Sequence, residues 1–250
     1  MRLIGLGAKC VLRGLVFATL ALLLVLAGAR MQEPVPGSPF FRLLRDPRVR
    51  EVQGAAFLVR VRHPGGERAG TGIAVAEGFL LTAFHLLGDP GTGEITAEEI
   101  LISRPHTEWK EEIPAEVEDV IPPVDLAVLK FEPLGEVPSL SFGDPSRLQP
   151  GEMVYLIGHE FLPGGLAVIY PRDGEFTGEL GGNFLAIFPP VARGFSGGGV
   201  FNSRHELVGI ISRNFVVLET FREGGRIYRV ERQGAAAVKI DRCPATICRK

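Results

Sequence analysis

The sequence predicts an all-β fold, and three observations carry that expectation. The 250-residue chain holds 32 glycines and 19 prolines, so turns must be frequent. Hydrophobic residues reach 46%, enough for a packed core and against wholesale disorder. Apolar residues also recur at alternate positions in short segments, with no long helical period between them. Strands at this spacing point to barrels or sandwiches.

The chain opens on a segment that stands apart from this globule. Arg2, Lys9 and Arg13 precede the uncharged stretch Gly14 to Ala29, which ends in the small residues Ala27-Gly28-Ala29. Residues 1–29 therefore read as a signal peptide. The alternative is an uncleaved leader that tethers the chain to the cytoplasmic membrane through residues 14–29, although a full crossing takes ~20 residues. Both readings export the rest, to the periplasm or beyond the cell as a secreted protein. The formal net charge is −2, and no lysine- or arginine-rich block stands anywhere in the chain, so nucleic acid is not an expected partner.

Residues 30–51, with Pro34, Pro36, Pro39 and Pro47, read as an extended Pro-rich arm. Beyond it, Phe57, Val59 and Val61 share one face of a strand whose other face carries Arg60 and Arg62. Asp125 to Phe131 alternates in the same way, and Met153 to Ile157 forms a continuous apolar run suited to a buried strand. Val200-Phe201 and Leu207 to Ile211 flank a turn and form a hairpin. Ile227 to Val230 reads as a late strand, and Gly234 to Ile240 as a short closing helix. In an exported chain Cys243 and Cys248 are expected to close a small disulfide loop, with two unconnected thiols as the alternative. No further Cys or His stands near them at ligand spacing and no HExxH occurs, so neither a metal nor a cofactor is expected.

The chemistry concentrates at Arg193-Gly194-Phe195-Ser196-Gly197-Gly198-Gly199. A serine among glycines lets a substrate carbonyl approach the backbone, and a tight turn there aims amide N–H groups at one point. A serine hydroxyl is a weak nucleophile; it needs an imidazole base, which in turn needs a carboxylate to fix its tautomer. His85 follows an apolar strand and the glycine-rich hairpin Gly70-Thr71-Gly72, and Asp125 opens a buried strand. His85, Asp125 and Ser196 thus supply base, orienting carboxylate and nucleophile.

With these motifs the chain resembles the trypsin-like serine proteases, especially the bacterial HtrA/Deg-type members. The resemblance rests on Gly70-Thr71-Gly72, Thr82-Ala83-Phe84-His85, Asp125-Leu126-Ala127-Val128-Leu129-Lys130, Gly151 to Gly158, and Gly194-Phe195-Ser196-Gly197-Gly198. It implies two six-stranded antiparallel Greek-key barrels, a double β-barrel with the active site in the cleft between them. The N-terminal barrel would span residues 52–132, a connection 133–150, the C-terminal barrel 151–232 and a tail 233–250, with no PDZ domain. It implies an oxyanion hole from the N–H groups of Gly194 and Ser196. Pro190, Arg193, Ser212, Arg213 and Asn214 would then bind a protein or peptide substrate. No acid lies at the pocket base, so small or apolar side chains are favoured before the cut.

The chain departs from the family at Phe84, where Ala or Asn is usual, at Phe195 in place of Asp or Asn, and at Gly199 in place of Pro. These substitutions predict a crowded base and a loosened oxyanion turn. The G-x-S-x-G elbow of α/β-hydrolases fits the same serine but demands Asp and then His after it. Here His205 precedes the one downstream Asp, Asp241, so that order fails. A peptide-binding barrel that does not cut remains the rival reading. His63, His106, His159 and His205 are expected at the surface.

Overall fold

The computed structural model describes residues 46–104, 111–138, 140–162, 167–223, 226–244 and 246–248. The leader, the arm through Pro34, Pro36 and Pro39, and His106 lie outside the described residues. The first described element is helix α1 (Pro47–Gly54). Asp46 caps it by accepting from the Arg48 amide at 2.9 Å, and proline at the first helical position has no N–H to leave unsatisfied. Val49 and Val52 are buried against the barrels. The expected arm therefore does not run extended through residues 47–51, because burying these two valines repays helix formation there.

Strands β1 (Ala56–His63), β2 (Gly66–Ala76) and β3 (Phe79–Ala83) follow, then the short ribbon β4 (Gly88–Asp89) and β5 (Glu94–Ile95), then β6 (Glu99–Ser103), β7 (Ile113–Ile121) and β8 (Leu126–Phe131). Apart from the ribbon, they close an antiparallel barrel in the order β1-β2-β3-β8-β7-β6. Past the connection come β9 (Met153–Phe161), β10 (Ala167–Leu180), β11 (Phe184–Phe188), β12 (Gly199–Phe201), β13 (Leu207–Glu223) and β14 (Arg226–Lys239). They close a second barrel which, started at β9, runs β9-β10-β11-β14-β13-β12. Both barrels therefore trace the same Greek-key path.

The alternation read from the sequence explains the packing. Phe57, Val59 and Val61 are fully buried in the first barrel, while Arg60 pairs with Glu67 and Arg62 with Glu99 outside it. Phe176, Leu185, Ile187 and Val208 fill the second barrel. A third cluster lies between the two: Ile73, Leu81 and Leu126 meet Ile157, Phe201 and Leu207, and α1 seals it. An apolar interface of this kind fixes the barrels relative to one another and so fixes the cleft that they share.

Several local expectations are corrected. Gly70-Thr71-Gly72 lies within β2 and is not a hairpin turn; the turn falls at Pro64-Gly65. Gly70 is glycine because a Cβ there would stand 2.7 Å from the Ser196 carbonyl oxygen and 2.6 Å from a Leu86 methyl. The segment from Gly234 to Lys239 continues β14 rather than forming a helix. Ala235, Ala236 and Ala237 pair with β11 on one side and β13 on the other, and this two-sided ladder overrides alanine's helix propensity. Cys243 and Cys248 are joined by a disulfide with a Cα–Cα distance of 5.9 Å.

Of the histidines expected at the surface, His63, His159 and His205 are not exposed. His63 is buried, accepting from Thr96 Oγ1 at 2.9 Å and donating through Nε2 to the Leu86 carbonyl at 2.9 Å. His159 is fully buried. His205 receives the Tyr155 hydroxyl on Nδ1 at 2.8 Å and directs Nε2 to Asp46 at 3.4 Å, joining the helix cap to the second barrel. Burial, with the nearby Asp46 charge, pushes the Tyr155 phenol well above its ordinary pKa. Replacing His205 by Ala leaves the Tyr155 hydroxyl buried without this acceptor. It is expected to cost about 1–3 kcal/mol in urea unfolding; an unchanged midpoint would contradict the latch.

Candidate active site

The cleft between the barrels is lined by His85, Arg68, Phe161, Arg193, Gly194 and Ser196, among others. His85 sits in a 3-10 turn, Phe84–Leu86, at the end of β3. That turn is fixed from several sides. The Phe84 amide donates to the Asp125 carbonyl at 3.1 Å, Arg68 donates to the His85 carbonyl at 2.6 Å, and His63 holds the Leu86 carbonyl. Phe84 itself is fully buried in the first barrel, so its ring points into the core and does not crowd the imidazole.

Asp125 precedes β8 in a left-handed conformation, φ 58°. The strain of that conformation is held by its contacts. Oδ1 accepts the His85 amide at 2.7 Å, Oδ2 accepts His85 Nδ1–H at 2.8 Å, and the Ser212 hydroxyl donates to the same Oδ2. Burial alone would raise the Asp125 carboxyl, but the bonds and charge of His85, with the Ser212 hydroxyl, outweigh it and hold the group below the ordinary carboxylate range. A carboxylate that accepts at Nδ1 fixes the proton there and leaves Nε2 of His85 as the basic nitrogen.

Ser196 Oγ donates to the Ser212 carbonyl at 3.4 Å, and among the described residues it makes no bond to His85. The structure thus joins His85 to Asp125, and Asp125 to Ser212, whereas Ser196 and His85 share the cleft without a direct hydrogen bond.

The turn bearing Ser196 is shaped by peptide planes. The Arg193 carbonyl accepts from the Phe161 amide at 3.3 Å, so the Gly194 N–H, on the far side of the same trans peptide, points the other way. Likewise the Phe195 carbonyl accepts from Gly198 at 2.8 Å, which sets the Ser196 N–H. Neither the Gly194 nor the Ser196 amide has an acceptor among the described residues. Gly194 and Gly197 hold φ of +99° and +83°, the left-handed region that side chains disfavour.

Thr71, in the middle of β2, reaches across the cleft floor to this turn. Its amide donates to the Ser196 carbonyl at 2.7 Å, and its hydroxyl donates to the Gly194 carbonyl at 2.7 Å while accepting from the His159 amide at 2.8 Å. A Cβ on Gly197 would stand 2.0 Å from the Thr71 carbonyl oxygen. Phe195, expected to loosen the turn, is instead fully buried in the second barrel, with its ring against Gly158. Gly199, where proline was expected, pairs as a strand residue with Ile157 and Ile210. Thr71, Phe161 and His63 were not among the site residues read from the sequence; the Gly-Thr-Gly motif was the one signal for the first of them.

The remaining candidates divide. Pro190 stands two residues before Ala192, half-exposed, and Arg193 is exposed at the cleft wall. The Asn214 side chain spans to the neighbouring segment, accepting from the Val191 amide at 3.0 Å and donating to its carbonyl at 2.9 Å. Arg213 lies on the opposite face of β13, with its guanidinium over the Phe184 ring at 5.9 Å, so its side chain points away from that of Asn214. No cluster of metal-ligating side chains occurs among the described residues.

Comparison with known proteins agrees with this geometry. A family profile described as the trypsin-like peptidase domain matches residues 70–210, more than half of the chain. Probable periplasmic serine endoproteases, DegP-like, are similar to it. The one from Rhizobium meliloti is 29% identical over 194 residues, covering 73% of this chain and 36% of that protein. The one from Ectopseudomonas mendocina is 28% identical over 191 residues, covering 72% and 37%. The chain thus spans between 27% and 37% of the length of such relatives. Among solved structures, an HtrA-type protease, AlgW, with a tripeptide superimposes with a TM-score of 0.57 at 22% identity, covering 78% of this chain and 59% of that one. The serine endoprotease from Yersinia pestis superimposes with a TM-score of 0.54 at 25% identity, covering 67% and 57%. The double Greek-key barrel accords with this match, and the chain belongs to the trypsin-like peptidase domain family.

Proposed function

We propose that the chain is an exported serine endopeptidase that cleaves peptide bonds through an acyl-enzyme. The observation that carries this reading is the coincidence at one cleft of an oriented imidazole and a serine whose turn presents two unpartnered amides. Ser196 Oγ turns from the Ser212 carbonyl toward Nε2 of His85, which takes its proton as the oxygen attacks the substrate carbonyl. Asp125 keeps the proton on Nδ1 and stabilises the imidazolium without being protonated itself. The oxyanion that forms is received by the N–H groups of Gly194 and Ser196. The imidazolium then protonates the leaving amine, and water, activated by the same nitrogen, releases the acyl group. The DegP-like relatives are named as periplasmic, which agrees with a leader at residues 1–29; tethering through residues 14–29 is the second arm of this proposal.

One observation favours a rival, a peptide-binding barrel that does not cut: the Ser196 hydroxyl rests on Ser212 and not on His85. Covalent labelling by a fluorophosphonate probe separates the two. The full chain is expected to label, and Ser196→Ala to lose labelling completely; a folded chain that does not label contradicts the protease reading.

Asn214 sets the expected specificity. By the resemblance to the family, Asn214 borders the pocket for the side chain before the scissile bond; its side-chain bridge to Val191 would narrow that pocket, so small residues such as alanine are favoured there. Asn214→Gly removes the bridge. It is expected to raise kcat/KM for leucine or phenylalanine at that position, relative to alanine, about tenfold, roughly 1.4 kcal/mol. An unchanged ranking would show that the bridge does not gate the pocket.

The Asp125 carboxyl also links folding to pH. Its folded-state pKa lies below its unfolded value, so its stabilising contribution is complete above the ordinary carboxylate range, ~3.9, and is lost as pH falls through the lowered folded value. Asp125→Asn cannot titrate. The stability difference between wild type and this variant, read from urea midpoints, is expected to be widest near neutral pH and to shrink below about pH 4. A difference that grows on acidification would contradict the assignment.

A further inference from the structure

The cleft extends past the reacting groups on one side. It takes in Leu58, Leu86, Phe161 and Ala167, together with three arginines and two glutamates, and among the described residues neither Pro190 nor any residue of β13 lines it. The resemblance puts the side chain before the scissile bond along Pro190 and Ser212 to Asn214. What remains on the far side of Ser196 is therefore the path of the leaving segment, past His85, whose imidazolium protonates the departing amine.

The three arginines of this wall are not equivalent. Arg60 is fully engaged: its Nε and Nη2 hold Glu67 at 3.0 and 2.9 Å, and its Nη1 holds Glu112. Glu67 and Glu112 are the two carboxylates of the wall, so both turn to Arg60. Arg68 and Arg193 are exposed and pair with no carboxylate among the described residues. In a chain of formal net charge −2, two unneutralised cations beside the reacting groups are a local exception.

Arg68 is also held in place. Its Nη1 donates to the His85 carbonyl at 2.6 Å and to the Gly88 carbonyl at 3.0 Å. These carbonyls fix the guanidinium without cancelling its charge, and they occupy one nitrogen only. Nε–H and Nη2–H point from one edge of the planar group and have no acceptor among the described residues. That is the edge with which Arg60, on the neighbouring strand, grips Glu67. Two donors in a rigid fork match the two oxygens of a carboxylate. A guanidinium already immobilised gives up little side-chain freedom when it binds one.

We propose that Arg68 binds a carboxylate of the substrate segment that follows the scissile bond, so that acidic substrates are preferred on the leaving side of the cleft. The proposal rests on the protease reading and adds a recognition element to it. Because Nη1 of Arg68 lies against the backbone of His85, the carboxylate belongs to the first three residues after the cut, about 10 Å of extended chain. An acidic side chain and a chain-terminal carboxylate share this chemistry. Arg193, beside Gly194, adds attraction of the same sign without a guanidinium held by carbonyls.

The test is a set of C-terminally amidated peptides with alanine before the cut and glutamate or glutamine at the first, second or third position after it. The readout is the ratio of kcat/KM for glutamate over glutamine, because a variant that loosens the His85 turn slows both peptides alike. At one position the ratio for the full chain is expected to reach about fivefold or more, and to fall within about twofold of unity in Arg68→Gln, while Arg193→Gln keeps most of it. A second set, followed by chromatography, ends at each of these positions with a free or an amidated terminus. A gain from the free terminus alone that Arg68→Gln abolishes supports the site and assigns the carboxylate to the chain end. A full chain that favours neither carboxylate, a preference that survives Arg68→Gln, or one lost equally in Arg193→Gln overturns the proposal and leaves the protease reading in place. Should no peptide be cut, anisotropy of the labelled peptides on the full chain decides. Tighter binding of a glutamate peptide than of its glutamine twin, lost in Arg68→Gln, supports the site; equal or absent binding overturns it.

Discussion

The site depends on Thr71, where one residue of the first barrel takes hold of the second barrel's turn around Ser196. Its amide and hydroxyl fasten the carbonyls of Ser196 and Gly194, and its own carbonyl accepts the Thr82 hydroxyl at 2.7 Å, tying the contact back to β3 just ahead of His85. The proposed base and nucleophile, His85 and Ser196, come from different barrels, so a bond network that crosses between them decides whether their separation is fixed or free. Thr71, Thr82, His159 and Gly194 are buried, and buried hydrogen bonds are costly to leave unmade. The inter-barrel apolar cluster supplies the background rigidity, and Thr71 converts it into orientation at the reacting atoms.

Around that clamp, polar and apolar anchors divide the work. The Arg193 carbonyl is drawn outward by the Phe161 amide, which turns the Gly194 N–H toward the cleft, and Phe195 seats the middle of the turn in the second barrel. Phe195 holds the turn by burial against Gly158, with no titrating group involved. The carboxylate is treated oppositely: Asp125 is buried yet kept charged, because three donors converge on it.

The all-β class, the strand around Phe57 and the hairpin at Asn202 were legible because period-two alternation is a local signal. The three residues of the proposed triad were legible because each stands in a short, distinctive motif. What escaped was set by tertiary contact. Val49 looks like the end of a proline-rich arm until α1 is seen against both barrels. Ala235 to Ala237 look helical until two strands pair with them. His63 and His159 look like surface residues because polar neighbours in sequence say nothing about the turns that they hold in space. Arg213 and Asn214 are adjacent in sequence and opposite in space, a consequence of strand geometry that a motif match does not carry.

The clamp is tested most directly by the bimolecular rate of fluorophosphonate labelling in Thr71→Val and Thr71→Ser. Valine keeps the shape and removes the hydroxyl, leaving the Gly194 carbonyl and the His159 amide without their partner; serine keeps the hydroxyl. Labelling is expected to slow at least about tenfold in the valine variant and to stay within a few-fold of wild type in the serine variant, with both chains folded. A valine variant that labels as fast as wild type would contradict the claim that Thr71 orients the nucleophile turn.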